Sequence, residues 1–236
     1  MICSVKHYSV SSFQPSRPAG QRSVVGLAAQ PMERVRVGFV GLGQRGREAV
    51  MRWCHLERTD IVAVCDLSAD SVADVQQLLR DNGRPAALAF SSAEQLCDMP
   101  NLDLVYVCTD WASHFSMACC ALEHGHHVAV EVPAVMTIRE AWQLVDLAER
   151  QQLHCMMLEN CCYDYFELAT AAMAQQGLLG EVVHGEGGYC HNLGDRWEPW
   201  RLRYNAVHRG DVYPTHGLGP VCLAMGVHRG DTLRTL

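Results

Sequence analysis

The stretch Val35-Arg36-Val37-Gly38-Phe39-Val40-Gly41-Leu42-Gly43-Gln44-Arg45-Gly46-Arg47-Glu48-Ala49-Val50 decides the fold. Val35 to Val40 is an apolar run of strand type, and the residues that follow Gly46 return to helical spacing. Between them stands a G-x-G-x-x-G loop. Its first glycine permits a tight turn, its second lets the backbone approach a bound group, and its third lets the helix pack against the strand. A second apolar run, Ile61-Val62-Ala63-Val64-Cys65, ends on Asp66, 20 residues after Gly46. The glycine pattern by itself is a weak signal. Strand, loop, helix and distal acid together are the fingerprint of a dinucleotide site.

The helix N-terminus offers N–H groups and a positive dipole end to a pyrophosphate. Asp66 can accept both hydroxyls of a ribose, and its charge repels a 2′-phosphate. The expected cofactor is therefore NAD rather than NADP, even with Arg45 in the loop. The plainer alternative is a turn built by glycines, with Asp66 capping the next helix.

Working outward, the first helix runs to about 55, and helical spacing returns over 69–80. A weaker strand follows at 86–90. Leu104-Val105-Tyr106-Val107-Cys108 and Val128-Ala129-Val130-Glu131-Val132 are further strands, with helices over 114–124 and 137–151 and a last strand over 154–158. Continuous apolar strands alternating with helices point to a parallel sheet covered on both faces. The expected fold is α/β, with an NAD-binding Rossmann domain over 34–160. Residues 161–236 are expected to be the truncated start of an α+β substrate domain. It would hold a helix over 164–176, a long strand over 181–191 and a short helix over 217–225. An unpaired strand is an aggregation edge, so the chain by itself is expected to be poorly soluble or clipped between Gln175 and Asp211.

Residues 1–33 are rich in Ser, Gln, Pro and Gly without strand or helix period. They are expected to form a flexible extension, with Met32 as a possible start. No signal sequence is evident there, so the cytoplasm is the expected compartment. The formal net charge of −7 and a pI near 5.9 offer no basic face for phosphates, and nucleic acid is not an expected partner. No apolar run reaches the 18 or so residues of a membrane span. Most of the 12 cysteines sit in apolar runs and none forms C-x-x-C. They read as small buried hydrophobes, and no metal is expected. His124-Gly125-His126-His127 reads as a surface turn. Trp197, Glu198 and Trp200 read equally as a sugar platform or as packing.

Thr109-Asp110-Trp111-Ala112-Ser113-His114 and Glu131-Val132-Pro133, taken with the glycine loop, resemble the Gfo/Idh/MocA superfamily of glucose–fructose oxidoreductase and inositol dehydrogenase. That superfamily usually carries Glu-Lys-Pro at the second place, with the lysine as catalytic acid/base. Here the middle residue is Val132, which carries no proton. Five further stretches resemble one branch, glycoside hydrolase family 109: Glu131-Val132-Pro133-Ala134, Glu159-Asn160-Cys161-Cys162-Tyr163, His184-Gly185-Glu186-Gly187, Tyr213-Pro214-Thr215-His216-Gly217-Leu218-Gly219-Pro220 and Arg229-Gly230-Asp231. Its members are NAD-using α-N-acetylgalactosaminidases, considerably longer than this chain.

The resemblance implies NAD contacts from Gly41, Gly43, Gln44, Arg45 and Gly46, from Asp66, from Trp111, Ala112, Ser113 and His114, from Glu131 and Val132, and from Asn160. It implies sugar contacts from Tyr189, Arg201, Tyr213, Pro214, Thr215 and His216, with Glu159 and His191 beside them. Catalytic roles are implied for Tyr213 and His216. The implied chemistry oxidises C3 of the sugar, removes the acidified C2 proton, eliminates the C1 substituent, adds water and re-reduces C3. Its base needs a pKa near working pH, which His216 or a tyrosine of depressed pKa would provide. The implied partner is an N-acetylgalactosamine-containing glycoside, with a homo-oligomer only for a complete second domain. Two alternatives stay open: a plain NAD-dependent sugar oxidoreductase, and an inactive NAD-binding fragment.

Overall fold

The computed structural model describes residues Ser9, 15–192, 197–208, 213–230 and 232–234. The chain divides into two compact units, Arg17–Leu158 and a second made of Glu159–Leu236 with Met1–Ser16. The first holds β1 (Val35–Val40), α1 (Gln44–Trp53), β2 (Thr59–Cys65), α2 (Ala69–Asp81), β3 (Leu88–Phe90) and α3 (Ala93–Cys97). It continues with β4 (Leu104–Val107), α4 (Trp111–Glu123), β5 (His127–Val130), α5 (Ile138–Gln151) and β6 (Cys155–Met157). Every strand pairing is parallel, in the order β3-β2-β1-β4-β5-β6. This is the doubly wound order of a Rossmann domain.

The alternation of side chains along each strand decides which helices it meets. Val37, Phe39, Val64 and Tyr106 pack with Ala49 and Val50 of α1 and with Val75, Leu78 and Leu79 of α2. Val40, Val105, Val107, Val128 and Val130 face the other way, onto Leu96 of α3, Leu122 of α4 and Leu144 and Leu147 of α5. Each fully buried valine or leucine stabilises by about 1.5–3 kcal/mol. Two-sided burial is why the strands read as unbroken apolar runs. Ser68, Ser92, Asp110 and Thr137 cap α2, α3, α4 and α5, each worth about 1 kcal/mol. Arg36 binds both carboxylate oxygens of Asp103 at 2.9 and 2.7 Å, tying the start of β1 to the start of β4. Those hydrogen bonds hold the Asp103 carboxyl below the ordinary carboxylate range.

Two expectations change in this unit. Residues from Arg17 onward belong to it and are not a free extension. Arg17 pairs with Glu149 of α5, and Gln21 Nε2 donates to Asp146 Oδ1 and Glu149 Oε2 at 3.0 and 2.8 Å. Val24 packs on the core. Glu149 is only 4% exposed, and a buried carboxylate requires partners; these come from far away in sequence, where composition records nothing. Residues 1–8 and 10–14 of the expected extension lie outside the described residues. The second change concerns His126, which is buried rather than part of a surface turn. Its ring nitrogens lie 2.9 Å from the Leu102 carbonyl and 2.7 Å from the Cys97 carbonyl, so the ring stitches two chain segments. The cysteines fit the apolar reading: burial pushes the thiols of Cys65 and Cys119 up to about 11 and that of Cys155 up to about 12.

The second unit opens with a 3-10 turn, Asn160–Cys162, followed by α6 (Tyr165–Gln175), α7 (Pro199–Val207) and α8 (Pro214–Met225). The strand expected over 181–191 is not formed, and no strand element occurs in this unit among the described residues. A strand is stabilised by its ladder to a neighbour, and 181–191 has none here; Val183 remains 82% exposed. α7 is absent from the sequence expectation, although Pro199 at its first turn marks its start. No helix among the described residues is long and apolar enough to cross a membrane.

Candidate functional site

In the Rossmann unit, the order of the sheet reverses between β1 and β4. Ligands of such sheets bind outside the carboxyl ends of the strands at that point. Gly41, Gly43 and Gly46 follow β1, Asp66 follows β2, Trp111 to His114 follow β4, and Glu131 and Val132 follow β5. All these expected positions therefore share one edge of the sheet. Gly41 has φ of +89°, and a Cβ there would lie 2.6 Å from the Cys108 carbonyl carbon. A Cβ at Gly46 would lie 2.0 Å from Gly41 O. The loop closes only with hydrogen at both places. α1 begins after Gly43 without a side-chain cap, whereas the four helices α2 to α5 are each capped by their own side chain. A glycine cradle at an uncapped helix start fits a pyrophosphate.

Asp66 sits where the fingerprint requires. Its Oδ2 accepts from Leu42 N at 2.6 Å and its Oδ1 from Ser68 N at 2.8 Å. The cap of α2 is Ser68, so the alternative in which Asp66 does that work is set aside. Each carboxylate oxygen keeps a second lone pair for a ribose hydroxyl. Arg45, the one loop cation that could greet a 2′-phosphate, donates to Glu131 Oε1 at 2.7 Å. Tyr106 donates to the same oxygen at 2.9 Å. Burial, and then Glu131, push the Tyr106 phenol well above its ordinary range.

His114 is held inside the fold. It is 1% exposed, with its ring nitrogens 2.7 Å from Pro133 O and 3.0 Å from Thr109 O. Its side chain holds the loops after β4 and β5 together. Burial lowers its pKa. Trp111 and Val132 are also buried. Ser113 remains part-exposed and donates from Oγ to Asp110 Oδ1 at 2.8 Å.

The second unit gathers another set of the expected residues. Pro214 opens α8 with Tyr213 as its N-cap, so Tyr213 and His216 fall on one side of the first turn. Their rings stack at 4.6 Å. Tyr189 meets Tyr213 at 5.2 Å and His216 at 5.0 Å, edge to face in both cases, and His191 lies 4.5 Å from Tyr189. Trp197 meets Tyr213 at 6.1 Å, while Trp200 donates to Glu198 and lies under the Arg201 guanidinium. Both tryptophans are thus held by neighbours. Backbone contact sets the assembly: a Cβ at Gly217 would lie 2.6 Å from the Gly187 carbonyl carbon, and one at Gly219 2.6 Å from Cys162 Sγ.

At the centre, His216 Nδ1 lies 2.5 Å from Glu159 Oε1. The two side chains are 10% and 8% exposed. A carboxylate at Nδ1 fixes the tautomer that leaves the lone pair on Nε2. Glu159 Oε1 also accepts from Cys161 N at 3.2 Å, but Glu159 Oε2 is buried with no partner. Such an atom costs about 1–3 kcal/mol unless something is supplied to it. Arg201 Nε and Thr215 Oγ1 are likewise buried without a hydrogen-bond partner. Burial raises the Tyr189 phenol, which therefore stays protonated. Asn160 heads the 3-10 turn with its amide 3.6 Å from Cys161 Sγ. The Glu159–His216 pair was not legible in sequence, since 57 positions separate its members and no periodic signal links them.

A sequence model described as an oxidoreductase family with an NAD-binding Rossmann fold, Gfo/Idh/MocA, matches residues 35–159. The chain belongs to the Gfo/Idh/MocA family. A second model, the C-terminal domain of glycosyl hydrolase 109, matches residues 194–236. Glycosyl hydrolase family 109 protein 1 of Bacteroides thetaiotaomicron is 50% identical over 94% of this chain and 49% of its own length. The family 109 protein of Porphyromonas gingivalis is 47% identical over 98% of this chain and 51% of its own. The chain is thus similar to family 109 proteins, and it spans about half the length of the curated relatives it matches. A solved NAD-binding protein from Listeria innocua is similar at 26% identity and a TM-score of 0.54, over 67% of this chain and 47% of its own. Scyllo-inositol dehydrogenase from Lactobacillus casei, solved with NAD(H) and scyllo-inositol, shares the fold at 14% identity and a TM-score of 0.68, over 82% of this chain and 56% of its own.

Proposed function

We propose that this chain carries the NAD site and part of the sugar site of a glycosidase that cleaves α-N-acetylgalactosaminides with NAD as a resident cofactor. The observation that carries the reading is the buried Glu159–His216 pair, faced by Tyr189 and Tyr213. The cofactor would be held by the loop from Gly41 to Gly46, by Asp66 at the ribose, and by Ala112 and Ser113. Gln44, Trp111, His114, Glu131, Val132 and Asn160 remain proposed contacts on the strength of the family resemblance. When bound, NAD supplies reversible hydride acceptance, which lets a glycosidic bond break by elimination instead of by the paired carboxylates of ordinary glycosidases.

The residues of the chain do the rest. His216 Nε2 takes the proton from C2 of the sugar, and Glu159 orients the imidazole. Tyr213 and Tyr189 offer aromatic walls and phenolic donors to the ring. Arg201 Nε and Thr215 Oγ1 offer hydrogen bonds to its hydroxyl and acetamido groups. Val132 favours this over a sugar dehydrogenase, because the position at which such enzymes usually carry an acid/base lysine is apolar here.

The test joins the chain to the second half that its Bacteroides relative carries and adds an N-acetylgalactosaminide. The expected result is release of free sugar with no accumulation of NADH. Net NADH formed in step with sugar, without cleavage, would give the site to an oxidoreductase.

A further inference from the structure

We infer that Glu159, Cys161 and His216 form a binding site for one zinc ion. Each offers one ligand atom, and the three atoms lie within 4.8 Å of one another. Thiolate, imidazole and carboxylate are the donors that zinc takes, at about 2.0–2.3 Å, and a set containing sulfur and nitrogen discriminates against magnesium and calcium. Side-chain displacements of roughly an ångström would bring the three atoms to those bond lengths, with the fourth tetrahedral position left for water.

A second observation points to a cation here. Glu159 is 94% buried by its 6% exposure, and its Oε2 has no hydrogen-bond partner. A metal on this carboxylate supplies what the protein leaves out. The 3-10 turn Asn160–Cys162 makes the site possible by setting Cys161 two residues from Glu159, with both facing the first turn of α8. On binding, the Cys161 thiol releases its proton to solvent and binds as thiolate, while neutral His216 donates the lone pair of its unprotonated ring nitrogen. Zinc would therefore occupy the same imidazole that the proposed reaction needs, as an inhibitor and not a cofactor. Binding itself does not depend on the glycosidase reading.

The test uses the chain as it stands, stripped with chelator and titrated with zinc by calorimetry and with cobalt by absorption. One zinc per chain is expected at this site, and cobalt should give a thiolate charge-transfer band. Cys161→Ser should lose that band and weaken zinc binding at least about tenfold, while equal additions of magnesium give no uptake. A band that persists in Cys161→Ser, or no saturable zinc uptake by the parent chain, would overturn the proposal. Should the variant not fold, alkylation of Cys161 in the parent chain, read by mass spectrometry, decides the matter. Zinc should slow it at least about tenfold, and equal rates with and without zinc would refute the site.

Discussion

Changing His216 to alanine is expected to lower glycosidase turnover by about 10²–10⁴-fold, the usual contribution of a positioned proton-transfer group. The imidazole is nearly buried and bonded to Glu159 at 2.5 Å, so its Nε2 is presented in one orientation. Loss of the ring removes the base and leaves Glu159 Oε1 with the Cys161 N–H as its donor. A merely structural role would raise KM or lower the melting temperature without a selective fall in kcat. With a catalytic role, kcat should fall while NAD binding holds, and added imidazole should restore part of the rate. A His216→Ala enzyme within about threefold of its parent would remove His216 from the mechanism. Tyr213, stacked on the imidazole at 4.6 Å, should show a smaller loss as Tyr213→Phe, because the stack survives and only the hydroxyl is removed.

The second large effect is expected at Gly46. Valine there would drive a Cβ to 2.0 Å from Gly41 O, a backbone atom that cannot swing aside. Overpacking costs about 1–3 kcal/mol and occasionally more, and a clash with immovable backbone falls at the upper end, equivalent to about two orders of magnitude in affinity. The loop that must receive the pyrophosphate would open, so NAD titration should show binding weakened by at least about 10²-fold. Arg47→Ala on the exposed side of α1 serves as the control and should bind like the parent. Binding by Gly46→Val within about threefold of the parent would mean that the cofactor does not lie on this loop.

Much of the first unit was legible because its signals are local. Gly41, Gly43 and Gly46 announce a backbone that no other residue accommodates, and the valine runs of β1, β2, β4 and β5 announce two covered faces. What escaped was held by partners distant in sequence. Glu149 recruits Arg17 and Gln21 across more than 120 positions, which turns an apparently featureless extension into part of the unit. His126 looked like a surface residue until two carbonyls closed on its ring. In the second unit 181–191 reads as a strand, but a strand requires a neighbour and pattern alone supplies none. Tyr213 and His216 were legible as a pair because a helical turn joins them. The partnership of His216 with Glu159, and the nearness of Cys161, depend on α8 lying against the 3-10 turn, where Gly219 leaves room for Cys162 Sγ.

The central claim is that His216 removes a proton from C2 of an N-acetylgalactosaminide during a cleavage that returns NAD unchanged. The most direct measurement runs the cleavage in D₂O, with the chain joined to the second half of a family 109 relative, and examines the released sugar by proton NMR. The account predicts deuterium at C2, no net NADH, and loss of both cleavage and exchange in His216→Ala. Released sugar that keeps its C2 hydrogen would contradict it and would mean direct displacement at C1.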